Sequence, residues 1–264
     1  MSADGIPAAV VCSAVAPWLI GLLPGWLALA VALVVAAAVG AGWSLVPALL
    51  KARYGVNEII TTLMMSFLGI SLANVLIKLV FRDPTTTVPQ TPTLPVPFRL
   101  PRLFDTTIHL GVVIALAAIL IVQFLMTRTA FGLKLRIVGA NPRAAVHAGL
   151  PMSALTFATF ALSAALIGMG GAVEVLGVHG TVRADWNPAY GLLVIPLVFL
   201  ARFNGFGSIL FVLFFAALQI GGESAARRLG VPHYYVLMLV AFVLLFLAIV
   251  EYLDHLSARR RTVA

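Results

Sequence analysis

Apolar residues fill this chain in long runs, broken by short polar or basic segments. Several runs approach or exceed the roughly 20 residues with which a helix spans a bilayer. The first, Ile6 to Leu23, carries Pro7 and Pro17 and is closed by Pro24, which fits a short, kinked or half-buried helix. Trp26 to Val46 predicts a spanning helix, with Trp26 and Trp43 near its ends in the manner of interfacial aromatic belts. A short basic loop with Lys51 and Arg53 follows. Asn57 to Phe81 predicts a helix with polar positions inside it: Asn57, Glu58, Thr61, Thr62, Ser66, Ser71 and Asn74.

Arg82 to Thr107 departs from the pattern, being rich in threonine and carrying Pro84, Pro89, Pro92, Pro95, Pro97 and Pro101. Proline leaves backbone carbonyls without helical partners, which hydrocarbon does not tolerate, so this stretch predicts an extramembrane loop. His109 to Met126 predicts the next span and Ser153 to Val178 the one after. The latter is rich in small residues (Ala161, Ala164, Ala165, Gly168, Gly170 and Gly171), which let helices approach closely in lipid. His179 to Tyr190 predicts a polar external loop. Gly191 to Phe203 is too short to cross comfortably. With the glycine-containing turn Asn204 to Ser208 and the run Ile209 to Ile220, it predicts a pair of short or re-entrant segments. Tyr234 to Val250 is the last span.

Charge orients these spans. Arg128, Lys134, Arg136 and Arg143 crowd the segment after His109–Met126, with no acidic residue between Thr127 and Met152. Lys and Arg gather in cytoplasmic loops, so this loop is expected inside and the Pro/Thr loop, one span back, outside. Lys51 and Arg53 then fall inside again, in agreement. Arg259, Arg260 and Arg261 place the C-terminus in the cytoplasm, whereas Arg227 and Arg228 fall outside in this count.

Composition supports the membrane assignment: 62% of residues are hydrophobic and 10% charged, against about 25% charged in a soluble protein. The net charge of +8 raises nucleic acid as a partner. The basic residues sit mostly between apolar runs, as the inside rule requires, so no nucleic-acid partner is expected. The lone Cys12 excludes an intrachain disulfide framework and reads as a packed thiol. Met1 to Pro7 lacks the basic start of a cleavable signal. The expected fold class is all-α: a polytopic transmembrane helical bundle of about six to eight membrane segments, some short or re-entrant, in a single domain over residues 1–264.

Three constellations are candidates for function. In Thr127 to Pro151, Asn141 suits an N-cap, Pro142 the first helical position and Gly149 a stop, so Pro142 to Ala148 predicts a helix of about two turns. It is either a connecting loop whose arginines obey the inside rule or a helix docked in a groove of a soluble partner. In Tyr54 to Leu68, Glu58 is either a helix-start acid behind the cap Asn57 or an intramembrane functional acid, and the first reading is preferred. Glu174, among glycines and followed by His179, either lines a pathway or lies hydrated near the outer interface. No metalloprotease, nucleophile-elbow or P-loop motif occurs, and the five scattered histidines form no metal set. The chain is therefore expected to be no enzyme and to hold neither metal nor cofactor.

Two segments carry a family resemblance. LLKARYGVNEIITTLM (Leu49 to Met64) and FGLKLRIVGANPRAAVHAGLPMS (Phe131 to Ser153) resemble motifs of permease subunits of bacterial ABC importers, in the branch for simple sugars and nucleosides. That branch is similar to the branched-chain amino acid and ribose permeases, and LSAALIGMGGAVEVLG (Leu162 to Gly177) continues the match. The resemblance implies a subunit of a dimeric pore in the inner membrane, powered by two ATPase subunits and supplied by an extracytoplasmic binding protein. It implies that segment 128–152 is the cytoplasmic coupling loop, with Arg136, Gly139, Asn141, Pro142, Arg143, Ala145 and Gly149 as docking residues. Segment 82–108 is then the extracytoplasmic Pro/Thr loop. Asn57, Glu58, Thr62, Ser66, Asn74 and Glu174 are the pathway candidates. Members of that branch run some tens of residues further at the N-terminus, with extra spans ahead of the region matching Ala8, so the resemblance implies either a start assigned too late or a shortened permease. The alternative is a secondary transporter driven by an ion gradient, which would need buried acids near the midplane and repeated broken helices. Only Glu174 suits such an acid, and no repeat is evident.

Overall fold

The computed structural model describes residues 5–103, 106, 108–186 and 190–230, with 238, 241–243, 245–246 and 249–250 beyond them. The expected span Tyr234–Val250 lies mostly outside the described residues, and Arg259, Arg260 and Arg261 lie wholly outside them. The chain forms two compact units, Met1–Ala189 and Tyr190–Ala264. Among the described residues there is no strand, only the isolated bridges Gln90–Arg183 and Arg102–His109. Five helical stretches among them are long and apolar enough to cross a bilayer: Gly25–Tyr54, Glu58–Val80, Gly111–Arg128, Met152–His179 and Gly205–Leu229. The polytopic all-α expectation therefore holds.

The first unit is built on three helices, α1 (Gly5–Ile20), α2 (Gly25–Trp43) and α8 (Met152–Glu174). Lipid supplies no hydrophobic drive to press helices together, so close van der Waals fit must do it, and small residues permit that fit. Ala32, Ala36 and Gly40 of α2 recur every fourth residue, as do Ala164, Gly168 and Ala172 of α8. A Cβ on Gly168 would stand 2.5 Å from the Ala36 carbonyl oxygen, and one on Gly40 would strike the Ala164 carbonyl. The two backbones are in contact. Helix α1, expected as kinked or half-buried, is the most enclosed element: Ala8, Ala9, Val10, Cys12 and Ala16 are buried against residues of α2, α8 and their neighbours.

Helix α3 (Leu45–Tyr54) continues α2, and Lys51 and Arg53, expected in a loop, lie in its last turn. Cations are favoured there by the helix dipole, and Gly55, with φ +64°, stops the helix. Helix α4 (Glu58–Val75) ends in a π-helical turn, Leu76–Val80. Helix α8 ends likewise, in Val175–His179. Helix α5 (Gly111–Arg128) is the remaining span of this unit.

The Pro/Thr segment is a loop, as expected, but not a loose one. Its backbone amides at Thr91, Leu94 and Leu100 donate to the carbonyls of Val182, Gly180 and Leu176, so it is zipped to the chain leaving α8. Leu94 and Leu100 are buried in the core with α1 and α2. Thr91 is fully enclosed, 2.5 Å from the Ser13 hydroxyl, and its own hydroxyl accepts from the Val182 amide at 2.9 Å. Hydrogen bonds from the Thr85 hydroxyl and then its amide hold the Asp83 carboxyl below the usual carboxylate range. That tie is in force above the ordinary carboxylate range and is lost as pH falls through the lowered value.

In the second unit, α9 (Tyr190–Leu200) is short, as its sequence implied. The expectation of a second short segment at Ile209–Ile220 is corrected. That run lies inside α10, Gly205–Leu229, a continuous helix of 25 residues. Glycine costs only about 1 kcal/mol inside a helix, so Gly221 and Gly222 do not end it, and the Ser224 hydroxyl bonds back to the Ile220 carbonyl at 2.8 Å. Arg227 and Arg228 occupy its last turn and Gly230, φ +67°, closes it. Asn204 caps its start, accepting from the Phe206 amide at 3.0 Å. The preceding turn holds two non-glycine residues at positive φ, Arg202 and Phe203.

Candidate functional site

Sequence places candidate chemistry at two ends of the first unit. At the end expected inside, Thr129 caps helix α6 (Ala130–Ala140), accepting from the Gly132 amide at 3.3 Å. Gly132 permits the tight α5–α6 turn, because a Cβ there would strike the carbonyls of Leu125 and Met126. Helix α7 (Pro142–His147) follows, six residues long, as its start and stop signals indicate. The Asn141 side chain accepts from the Ala144 amide at 3.1 Å. At the other end the Leu150 amide bonds to the Ala145 carbonyl and the Gly149 amide to Val146, with Gly149 at φ +72°. That pair of bonds is the Schellman closure, so both ends are locked by local chemistry.

The seven predicted docking residues fall on α6, α7 and the junctions beside them. Ala145 is buried and anchors α7, while Arg136, Gly139, Asn141, Pro142, Arg143 and Gly149 are exposed. Val146 is exposed too, at 59%, and gives the short helix an apolar contact that sequence reasoning passed over. The surface can thus offer cations and an apolar knob on a preformed helix. Asn141→Ala is expected to cost the cap about 1 kcal/mol. Amide exchange across Ala144–Ala148 should then speed up roughly fivefold, measured by mass spectrometry.

The pathway candidates divide. Asn57 caps α4, accepting from the Ile59 amide at 2.9 Å, and Glu58 in its first turn pairs with Lys51. Thr61 and Thr62 hydroxyls bond back to carbonyls at Asn57 and Glu58. Ser66 lies on the inward face of α4 with Thr61 and Ala73. These residues are the start and inner face of a helix. Asn74 and Glu174 lie apart from them, at the opposite ends of α4 and α8. Asn74 accepts the Asp185 amide at 2.7 Å, and Glu174 Oε1 stands 3.2 Å from His179 Nε2. The Arg99 guanidinium bonds to the Val178 and Leu94 carbonyls nearby and fills the space beside Gly180. Arg99, Asp185 and Trp186 escape sequence reasoning, since nothing local marks loop residues that meet across long stretches of chain, as Arg99 and Val178 do at a separation of 79. Among the described residues no group of His, Cys, Asp and Glu is placed to hold a metal ion.

The model of the family "Branched-chain amino acid transport system / permease component" matches residues 5–248. The chain belongs to this permease family. Its relatives include the glucose ABC transporter permease protein TsgB13 of Haloferax volcanii, 33% identical over 89% of this chain and 67% of that protein. The guanosine ABC transporter permease protein NupP of Bacillus subtilis is 31% identical over 85% of this chain and 66% of its own length. The riboflavin import permease RfuC of Treponema pallidum, described as probable, is 28% identical over 88% of this chain and 61% of its own. The chain spans about two thirds of the length of the curated relatives it matches. No solved structure matches it. As a permease of this family it is a multi-pass membrane protein and a transport component, in keeping with its apolar helices.

Proposed function

We propose that this permease is the membrane-spanning subunit of an ATP-driven importer of nucleosides or simple sugars. Two curated relatives, 33% and 31% identical over the aligned residues, carry glucose and guanosine in their names, which supports that substrate range. The observation that carries the coupling assignment is α7, a doubly capped helix with an exposed cationic and apolar face in a segment free of acids. The proposed partners are P-loop ATPase subunits at α6–α7, a second permease subunit beside this one, and an extracytoplasmic binding protein. In this reading the protein occupies the plasma membrane with its C-terminus in the cytoplasm, and residues 1–264 act as one permease domain. ATP-driven closure of the ATPase pair pushes on α7, and the spans reorient about a central path.

The experiment is purification of the tagged chain in mild detergent, followed by uptake of labelled guanosine and glucose into vesicles rebuilt with whatever accompanies it. ATP-dependent uptake by a complex containing an ATPase supports the reading. Uptake driven by an ion gradient without ATP overturns it in favour of a secondary transporter. Glu174→Gln keeps the side chain's size and removes its charge. With hydrogen bonds to charged groups worth about 1.5–3 kcal/mol, uptake is expected to fall roughly tenfold. Normal uptake would make Glu174 an ordinary interfacial acid.

A further inference from the structure

The outer ends of α4 and α8 meet in a polar and aromatic cluster that helix packing does not require. Glu174 and His179 sit at 3.2 Å, and the His179 ring meets Trp186 edge to face, with centroids 5.7 Å apart and planes at 76°. Asp185, one residue before Trp186, donates its amide to Asn74 and lies 3.8 Å from the Lys78 ammonium. Trp186 is half-buried against the cluster containing Ile77, Val175 and Val182. Its ring is therefore held on a firm apolar base.

Three features mark this place out. Asp185 holds φ +63°, a conformation that non-glycine residues seldom adopt, and such strain gathers at functional positions. Both helices reaching the cluster end in π-helical turns, Leu76–Val80 and Val175–His179, which likewise concentrate at functional sites. Finally, the cluster's acids are already engaged, Glu174 with the His179 imidazole and Asp185 with the Lys78 ammonium. A zwitterion would need charged partners of both signs that are not yet engaged. A neutral ligand needs only hydrogen-bonding groups and a ring to stack on.

We propose that Trp186, His179, Glu174 and Asn74 form an outer recognition site for a neutral, polyhydroxylated ligand with a planar ring, that is, a nucleoside. The proposal rests on the importer reading and gives its path an outer selectivity element. Trp186 supplies the stacking platform, and base–aromatic stacking of this kind tolerates different bases. A carboxylate has about four acceptor positions, so Glu174 can keep His179 and still take both hydroxyls of a ribose diol.

The test uses residues 1–264 in detergent, without an ATPase, so its outcome is separate from that of the uptake assay. Labelled guanosine, glucose and leucine are each titrated by equilibrium binding, with intrinsic fluorescence recorded alongside. Saturable guanosine binding is expected, with weaker glucose binding and none for leucine. Trp186→Phe should keep binding but abolish the ligand-dependent fluorescence change, while Trp186→Ala should weaken guanosine binding roughly tenfold, in line with the loss of one stacked base. Glu174→Gln should weaken guanosine and glucose binding alike. Unchanged affinity in Trp186→Ala, an intact fluorescence response in Trp186→Phe, or leucine binding as tightly as guanosine would each overturn the proposal. Absence of guanosine binding in the unaltered chain would overturn it as well. Circular dichroism of each variant excludes misfolding as the cause of a loss.

Discussion

Gly168→Leu is expected to leave too little folded protein in detergent to purify as a monodisperse species. Even Gly168→Ala should lower the thermal midpoint markedly. The reason is backbone contact: a Cβ on Gly168 would stand 2.5 Å from the Ala36 carbonyl oxygen and 3.2 Å from the Ala8 methyl. Real Cβ atoms do not approach a carbonyl that closely, so α2 and α8 would have to separate. Overpacking a fitted core costs about 1–3 kcal/mol when side chains can yield, and here the obstacle is main chain. The loss should therefore lie near or above 3 kcal/mol for alanine. The control lies two residues on. A Cβ on Gly170 meets nothing within 4 Å, so Gly170→Ala should be neutral or slightly stabilising through helix propensity. Thermal unfolding followed by size-exclusion chromatography compares the two. Equal midpoints for Gly168→Ala and Gly170→Ala would sink the close-contact account of this interface.

Arg143→Glu is expected to release the ATPase while the permease still inserts and folds. Arg143 is exposed on the first turn of α7, in a segment where every charge is positive. A partner surface suited to it must be acidic or rich in carbonyl acceptors. Reversing the charge sets like charges facing each other, which costs several kcal/mol across an interface, so co-purified ATPase should fall at least tenfold. Glutamate near a helix N-terminus is also favoured by the dipole, so α7 itself should not suffer. That separates a lost interface from a lost helix. An unchanged ATPase yield would remove α7 from the interface.

What sequence could show here follows from how local each signal is. The α7 boundaries were legible because Asn141, Pro142 and Gly149 act on amides and carbonyls within four residues of themselves. Helix α6 was not, since its basic content suggested a loop and its fixing contact, Gly132 against the end of α5, is a matter of turn geometry. The small residues of α8 announced a close interface, but nothing in the sequence named α2 as the partner or Gly40 and Ala164 as the meeting point. The prolines of Arg82–Thr107 announced a loop. They could not reveal that Thr91 and Leu94 pair with Val182 and Gly180, bonds that join distant parts of the chain. The polar residues of α4 show the limit most plainly: one row of candidates holds a cap, an ion pair and hydroxyls bonded back to their own helix, whereas Asn74 meets Asp185, 111 positions on.

The enclosure of α1 bears on how the protein is made. Its partners on α8 emerge from the ribosome only after the intervening spans, and at about 5–20 residues per second that delay is one of many seconds. During it α1 and α2 must wait with Ala8, Ala36 and Gly40 lacking their contacts on α8. The wait is tolerable because Gly5 to Leu50 contains no ionisable side chain except the thiol of Cys12, so hydrocarbon can hold the pair until α8 arrives. Slow or interrupted synthesis beyond Pro151 should therefore strand an inserted but loosely associated hairpin.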